Sequence, residues 1–579
     1  MNANADIDSV TLEVTRNAAA AVCEEMNANL IRTGYSPNIK ERRDCSCALF
    51  DADAEMIAQA ENMPVHLGSM PFSVRAAVDR FPRESLSPGD AILLNDPFYG
   101  GAHLPDLTLV TPVYHDGELI AFTANRAHHA DVGGSHAGSV SADSTEIYQE
   151  GLRIPPVKLF EEGDPNDAVF DVILSNVRTP DERRGDLRAQ EAANETGRRR
   201  VVELAERYGA DELSVALEEI KNYSERRMRS EIESLPDGRY SFADVLDDDG
   251  AGNVDLPIEV ALTIDGDEVG VDFAGTAAQT DGPVNAVFAV TASATYYAVR
   301  CVTDPTIPPN HGCYRPITID APEGSIVNPD PPAAVVGGNL ETSQRVTDVV
   351  LGAFAEVVPE RVVAGSQGTM NNVTFGGTDP RSGEPYAFYE TQGGGFGGRA
   401  GKDGLDGVHV HMSNTMNTPA EVLETAYPLR VARYELRADS GGAGEFRGGL
   451  GLRRDISVRD HTATFSLLAD RQTHRPYGLL GGADGESGSA VRIDPDGDAE
   501  RLPQKSTHAL APGVTVSLRT PGAGGYGDPS DRPKAAVERD LRAEKLSVEA
   551  AREAYGADLI DEVLAESPEL RSDGGQPDE

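Results

Sequence analysis

At 579 residues the chain has room for about three or four domains of ordinary size and a large core. Asp and Glu number 95 against 51 Lys and Arg, a formal net charge of −44, which excludes the basic footprint that nucleic acid requires. No window approaches the roughly 20 uncharged apolar residues of a membrane span. The opening MNANADIDSV has neither the basic run nor the apolar core of a signal peptide, so a cytoplasmic protein is expected.

Carboxylate in such excess repels itself, and molar salt screens that repulsion to within about 3 Å. The charge therefore reads as a halophile's surface and says where the protein lives, not what it does. Cys23, Cys45, Cys47, Cys301 and Cys313 form no disulfide framework. Cys45 and Cys47 make a C-x-C without the second pair that completes a zinc site; on an alternating strand both face one side, as core residues do.

In chain order, residues 9–33 read as an amphipathic helix and 38–60 as a hairpin broken near Asp51–Ala54. Strands follow over 91–130, and the character changes after Pro155–Pro156. From Pro180 to Leu235 the chain is charged and helical, with Leu213, Leu217, Ile220, Met228, Ile232 and Leu235 recurring as one buried face. Alternation returns in LPIEVALTIDGDEVGVDF, where Asp265–Gly266 marks a turn between two strands. A Gly- and Pro-dense, β-rich stretch leads to a helical tail that ends in a frayed SDGGQPDE. The expected class is mixed α/β (α+β). The expected units are an N-terminal metal-bearing region at 1–179, a helical segment at 180–235, a β-rich region at 236–530 and a helical tail at 531–579.

Chemistry concentrates in NDPFYGGAHLPDLTLV, residues 95–110. LTLVTPVYH and ELIAFTANRAHH flank Asp116–Gly117, a two-residue step suited to a type I′ hairpin. Pairing His115 with Glu118 puts Pro105 opposite His128, Asp106 opposite Ala127 and Leu107 opposite Arg126. His103 then lies diagonal to His128, roughly 7–8 Å away between backbones. Strict alternation turns Asp106 to the other face unless the turn formers twist it back, and Pro112 marks an edge or a bulge. Two imidazoles and a carboxylate converging with room to spare suit a divalent metal with open positions. The alternative is that these side chains bond backbone amides in a tight turn. Asp96, Arg126, His129 and Asp131 crowd the same stretch, as groups that fix the imidazoles or act on substrate. His66, in HLGSM, and the alternating His409 and His411 of GVHVHMSNTMN are further candidates to line a site.

GGGFGGRAGKDG fails as a phosphate loop: Phe396 stands where the first Gly belongs, and Asp403 replaces Ser/Thr. Gly393, Gly395 and Gly398 satisfy G-x-G-x-x-G, as do Gly522, Gly524 and Gly527, but neither run opens a helix, so turn-rich loops are expected.

SPNIKERRDCSCALFD, VHLGSMP, NDPFYGGAHLPDLTLVTPV, RAHHADVGG and EIYQEGLRIPPVKL resemble the hydantoinase B/oxoprolinase family. GGNLETSQRVTDVVLGAF, TMNNVTFGG, SNTMNTPAEVLE, YELRADSGGAGEFRGGLG and GYGDP continue the likeness in the same order over nearly the whole chain. The resemblance implies the B-type catalytic subunit of an ATP-dependent cyclic-amide hydrolase acting on 5-oxoproline or a hydantoin. An A-type partner would bind ATP and phosphorylate the amide oxygen, leaving no nucleotide site on this chain and making a hetero-oligomer. The resemblance also implies a manganese or zinc site at His103, Asp106 and His128, with His129, Asp131 or Glu150 as general acid or base. Alternatives within the same resemblance are a ketone carboxylase alpha-type subunit and a non-catalytic assembly partner.

Overall fold

The structure, a computed structural model, describes residues 7–60 and 62–571. The expected frayed end, 572–579, and the first six residues of the opening segment lie outside the described residues. Asp8 caps the first helix, Ser9–Thr33, its carboxylate accepting from the amides of Val10 and Thr11. The next segment departs from the expected hairpin at its start. Pro37 opens a helical turn, Pro37–Lys40, because a proline suits the first turn of a helix. Strand pairing begins only at β1 (Cys45–Asp51), which turns back into β2 (Met56–Gln59).

Five further strands, β3 (Ala91–Leu94), β4 (Asp106–His115), β5 (Glu118–His128), β6 (Val157–Glu161) and β7 (Asp164–Pro165), complete an antiparallel sheet in the order β2-β1-β5-β4-β3-β6-β7. Both of its faces are covered. Phe50, Leu94 and Phe122 point into one core, shared with helices Pro64–Arg80 and Phe288–Val302. Cys45, Cys47 and Leu49 point into the other, with helices Ser9–Thr33, Pro180–Tyr208 and Ala210–Glu233. The C-x-C pair is thus core, and burial pushes the Cys47 thiol well above its usual pKa. All six apolar residues expected on one face of the 180–235 helices are buried.

The β4–β5 hairpin has the expected turn, with Asp116 and Gly117 at φ 49° and 85°, but not the expected register. His115 pairs with Glu118 and Tyr114 with Leu119, after which Val113 pairs with Ala121 and Ile120 has no partner. Beyond this bulge every pairing is offset by one residue: Asp106 lies opposite His128, Leu107 opposite Ala127 and Thr108 opposite Arg126. The extra residue puts Asp106 and His128 on the same face, where strict alternation from the turn would part them. Helix Pro180–Tyr208 holds this register from behind. Its Gln190 side chain donates to the Leu107 carbonyl at 2.9 Å and its Asn194 side chain to that of Leu109 at 3.0 Å.

Three more sheets make up the remainder. One runs through Ile317–Asp320, Glu268–Asp272, Val254–Asp265 and Gly238–Asp248. Asp265 faces Glu268 across the turn expected there. The other two pack face to face over Val373, Phe375, Phe465, Ile456 and Val516. Two helices, Phe288–Val302 and Ser343–Phe354, are buried within this β-rich stretch. The fold is a mixed α+β architecture, as expected. No helix among the described residues is long and apolar enough to cross a membrane. The two G-x-G-x-x-G runs pack backbone on backbone, the Gly398 amide donating to the Gly524 carbonyl at 2.9 Å. A Cβ on Gly524 would stand 1.9 Å from the Tyr477 carbonyl oxygen.

Helix Pro64–Arg80 is seated by a similar approach. A Cβ at Gly68 would lie 2.7 Å from the Ser293 Cα, and the Ser293 hydroxyl donates to the Pro64 carbonyl at 2.9 Å. Gly68→Ala is expected to lower stability by about 1–3 kcal/mol through overpacking. Calorimetry would show this as a lower Tm, and an unchanged Tm would contradict the close seating.

Candidate metal centre

His103, Asp106 and His128 converge at the open end of the β4–β5 hairpin. One ligand atom from each lies within 4.8 Å of the others, and all three residues are buried. Asp106 begins β4, His128 ends β5, and His103 sits in the loop between β3 and β4. That loop is pinned by Asn95, whose side chain donates to the carbonyls of Leu104 and Leu152 at 2.7 and 2.9 Å and accepts from the Ile154 amide at 2.7 Å. Asp96 caps the following turn and pairs with Arg153 at 2.9 Å.

The donor set fits a cation. Both ring nitrogens of His103, both oxygens of Asp106 and Nε2 of His128 are buried without a hydrogen-bond partner, a condition too costly to be common in native proteins. His103 Nδ1 and His66 Nε2 stand 3.0 and 3.2 Å from the two Asp106 oxygens, close enough for electrostatic attraction but not aligned as hydrogen bonds. Ligands about 2.0–2.2 Å from a common ion lie roughly 3–4.4 Å apart, close to the spacing found. Burial, reinforced by His103, pulls the His128 imidazole well below its usual pKa, so it is neutral at pH 7. Burial alone would raise the Asp106 carboxyl, but His103 and His66 outweigh it and hold it well below the usual carboxylate range.

Residues from three other places fix these ligands. Asn38, in the helical turn, donates to the His128 carbonyl at 2.7 Å and lies 3.0 Å from its Nδ1. Arg42 donates to Asn38 Oδ1, and to the Tyr389 carbonyl at 3.1 Å. Tyr389, on strand Pro385–Glu390, stacks on the His128 ring at 4.5 Å with 8° between planes. His66 stands within 3.8 Å of Asp44, whose carboxyl burial raises against the opposing effect of Arg42. Of these, His66 alone is a site candidate in the sequence; Asn38, Arg42 and Asp44 lie in SPNIKERRDCSCALFD, which carries the family likeness without assigning them a role, and Tyr389 lies in none of the quoted stretches.

The side chains expected to act on substrate are placed as follows. Arg126 lies two residues from His128 on the same face of β5, buried against helix Pro64–Arg80. It donates to Thr108 Oγ1 at 2.8 Å, to Ser73 Oγ at 2.7 Å and to Ser69 Oγ. Burial lowers its pKa to about 10, against the opposing effect of Asp106. His66, Ser69 and Ser73 form one stripe of that helix, which therefore faces both the centre and Arg126. His129 turns to Gln190 Oε1 at 2.9 Å, and burial, then Arg183, depresses its pKa to about 4. Asp131 pairs with Arg178 at 2.8 Å and accepts the amides of Gly133 and Gly138. Glu150 accepts the amides of Val335 and Val336 at 2.9 and 3.0 Å. The hydrogen bonds and ion pairs found for His129, Asp131, Glu150 and Asp96 run to groups other than the three converging residues. His409 and His411 lie on the segment whose Met412 carbonyl accepts the Val65 amide at the start of the His66 helix.

The family model for hydantoinase B/oxoprolinase matches residues 8–529. The chain belongs to this family. It is 37% identical to the B-type subunit of a putative D-/L-hydantoinase of Pseudomonas sp. (strain NS671), over 96% of each chain. It is 38% identical to 5-oxoprolinase 1 of Arabidopsis thaliana over 90% of its own length, but spans only 42% of that longer protein. Among solved structures, the ATP-dependent caprolactamase from Pseudomonas jessenii superposes with a TM-score of 0.89 at 33% identity, covering 95% of this chain and 96% of that one. Membership of the hydantoinase B/oxoprolinase family thus rests on matches running through both the N-terminal sheet and the β-rich half.

Glu150 gives this region a pH dependence. Burial raises its pKa to about 8, from 4.5, against the two amides that lower it. A carboxyl that keeps its proton on folding contributes stability below its unfolded pKa and loses it as pH rises through the folded one. Tm is therefore expected to fall between about pH 5 and about pH 9. Glu150→Gln, which keeps the acceptor and removes the titration, should shrink that fall. An unaltered pH profile in the variant would show that Glu150 ionises freely.

Proposed function

We propose that this chain is the catalytic B-type subunit of an ATP-dependent cyclic-amide hydrolase, opening a ring that an A-type partner has activated by phosphorylating its amide oxygen. The observation that carries the reading is the buried, unpartnered His103, Asp106 and His128 constellation in a chain of the hydantoinase B/oxoprolinase family. Further support comes from the names of relatives, the B-type subunit of a hydantoinase and the beta subunit of a caprolactamase.

In this reading His103, Asp106 and His128 hold a divalent ion, manganese or zinc. Such an ion polarises a carbonyl or phosphoryl oxygen and lowers the pKa of water. His128, neutral through burial, offers a lone pair, and Asn38 and the Tyr389 ring keep its plane fixed. Asp106 supplies the negative charge that the ion requires. His66 steadies the Asp106 carboxylate, and Arg126 places a positive charge two cross-strand pairs further along the same face. His129, Asp131, Glu150 and Asp96 enter as groups that hold the backbone around the centre. ATP belongs to the partner, and the active species is a hetero-oligomer in the cytoplasm. The net charge of −44 fits work in high salt, where self-repulsion is screened.

Elemental analysis in molar salt, wild type beside His128→Ala, tests the centre. Near-stoichiometric divalent metal in the wild type, lost in the variant, is expected, together with loss of ATP-dependent ring opening in the presence of the partner. Asn38→Ala is expected to weaken metal binding about 10–100-fold. Full metal content in His128→Ala, or full ring-opening activity in a wild type stripped of metal, would overturn the reading.

A further inference from the structure

GGNLETSQRVTDVVLGAF and TMNNVTFGG carry the family likeness, yet neither holds a ligand or a direct support of the metal centre. The first contains the π-helical turn Gly338–Thr342, and the second opens the strand Asn372–Thr378. Asn371, held at φ 49°, makes the sharp step into that strand; asparagine is among the few residues that tolerate this conformation. The strand pairs with Pro385–Glu390 so that Tyr389 lies opposite Thr374. Asn372, two residues before Thr374, is therefore a diagonal neighbour of Tyr389 on the same face, within reach of a long side chain.

The contacts of Asn372 leave its amide one orientation. Nδ2 donates to Glu341 Oε1 at 2.7 Å and to the Leu468 carbonyl at 3.0 Å. The carbonyl can only accept, and Glu341 Oε1 also accepts the Met370 amide at 3.3 Å, so a flipped amide would set oxygen against oxygen. Oδ1 is thereby turned to the Tyr389 hydroxyl, which donates to it at 3.0 Å. The π-turn places Glu341, Glu341 orients Asn372, and Asn372 holds the phenol.

The phenol matters for what lies on its face. The ring stacks on His128 at 4.5 Å, with 8° between planes. Its backbone end is pinned by Arg42, which donates to the Tyr389 carbonyl at 3.1 Å and sets its guanidinium carbon 4.9 Å from the ring centroid. A hydrogen bond at the far end of the ring resists the swing about χ1 that would carry it off the imidazole, while the stack resists spin about the ring's own axis. Without Asn372 the buried hydroxyl would lose its partner, a loss that outweighs what one aromatic stack contributes, so the ring would leave His128 to find another acceptor. Asn38, 3.0 Å from His128 Nδ1, would then hold the imidazole alone, with Nε2 the buried atom left to aim.

We propose that Asn372 and Glu341 are positioning residues of the metal centre: acting through Tyr389, they hold the His128 imidazole in the plane from which Nε2 meets the ion. This rests on the metal-centre reading above and extends it to side chains whose own hydrogen bonds reach none of the three ligands.

The test uses cobalt(II) added to the metal-stripped full chain in molar salt. Its visible spectrum reports ligand geometry, and competition with a chelator reports affinity. Asn372→Leu removes the acceptor, and Tyr389→Phe removes the hydroxyl while keeping the ring. Each is expected to shift the visible band and to weaken cobalt binding about 3–10-fold, less than loss of a side chain bonded directly to a ligand. The double variant is expected to be no worse than the poorer single one, because both remove the same bond. Burial pushes the Glu341 carboxyl up to about 8, so at neutral pH it is a largely uncharged acceptor. Glu341→Leu should therefore follow Asn372→Leu, and Glu341→Gln should restore most of the loss. Variants with a lower Tm but the cobalt affinity and spectrum of the wild type, or losses that add in the double variant, would overturn the proposal. Should Asn372→Leu fail to fold, Tyr389→Phe decides alone, and an unchanged spectrum and affinity in it would overturn the proposal too. A wild type that binds no cobalt would overturn the metal-centre reading itself, and this inference with it.

Discussion

The Asp106 carboxylate is taken wholly out of water, and neither of its oxygens accepts an aligned hydrogen bond. Desolvating a carboxylate in this way costs several kcal/mol unless a cation compensates, and the surrounding architecture can be understood as supplying that compensation. Two imidazoles approach it, a guanidinium lies two cross-strand pairs away on the same face, and the bulge at Ile120 turns it toward His128. Elsewhere buried charges pair directly, as Arg454 does with Glu390 and Lys505 with Asp470. At the hairpin, Asp106 and Arg126 belong to pairs two residues apart on the same face, with Leu107–Ala127 between them, and each is held by other groups. Separated opposite charges of this kind set up a fixed local field in the buried cluster.

The turn, the strands and the three converging residues can all be read in the sequence, because each leaves a local mark. Asp116–Gly117 demands positive φ, and H-x-x-D followed by a histidine at the end of the next strand is a short-range pattern. The bulge leaves only Pro112, which marks an edge or a bulge without showing which residue is extra. Leu119, Ile120, Ala121 and Phe122 are all apolar, so no alternation shows which residue is extra. The partners that orient His128 are hidden for a different reason. Arg42 meets Tyr389 across 347 residues of chain, and a contact between separate sheets has no signature in either segment alone. Asn38 is obscured by composition: charged and polar residues before a strand resemble the start of a hairpin, and the proline that turns them into a helical step acts on their backbone alone.

The contrast between surface and interior bears on how such a chain tolerates its charge. The excess of carboxylate lies largely outside, where salt screens it, while buried carboxylates such as Asp470 and Asp348 meet cations directly. Folding is therefore not opposed by the net charge at the places where the dielectric is low. High salt can then relieve repulsion at the surface without weakening the buried pairs, which ions do not reach.

The centre also ties the two halves of the molecule together. Its ligands come from the N-terminal sheet, yet the ring that stacks on His128 comes from strand Pro385–Glu390, and Arg42 bonds that strand's backbone. Glu150 makes a similar link, reaching the amides of Val335 and Val336 just before the π-turn. A sheet with all three residues but no second half would lose the Tyr389 ring that stacks on His128 and leave Asn38 alone to orient it. With the three residues, Asn38 and His66 on one half and the stacking Tyr389 on the other, the buried, oriented cluster is a property of the whole fold, which fits a family match that runs along nearly the entire chain.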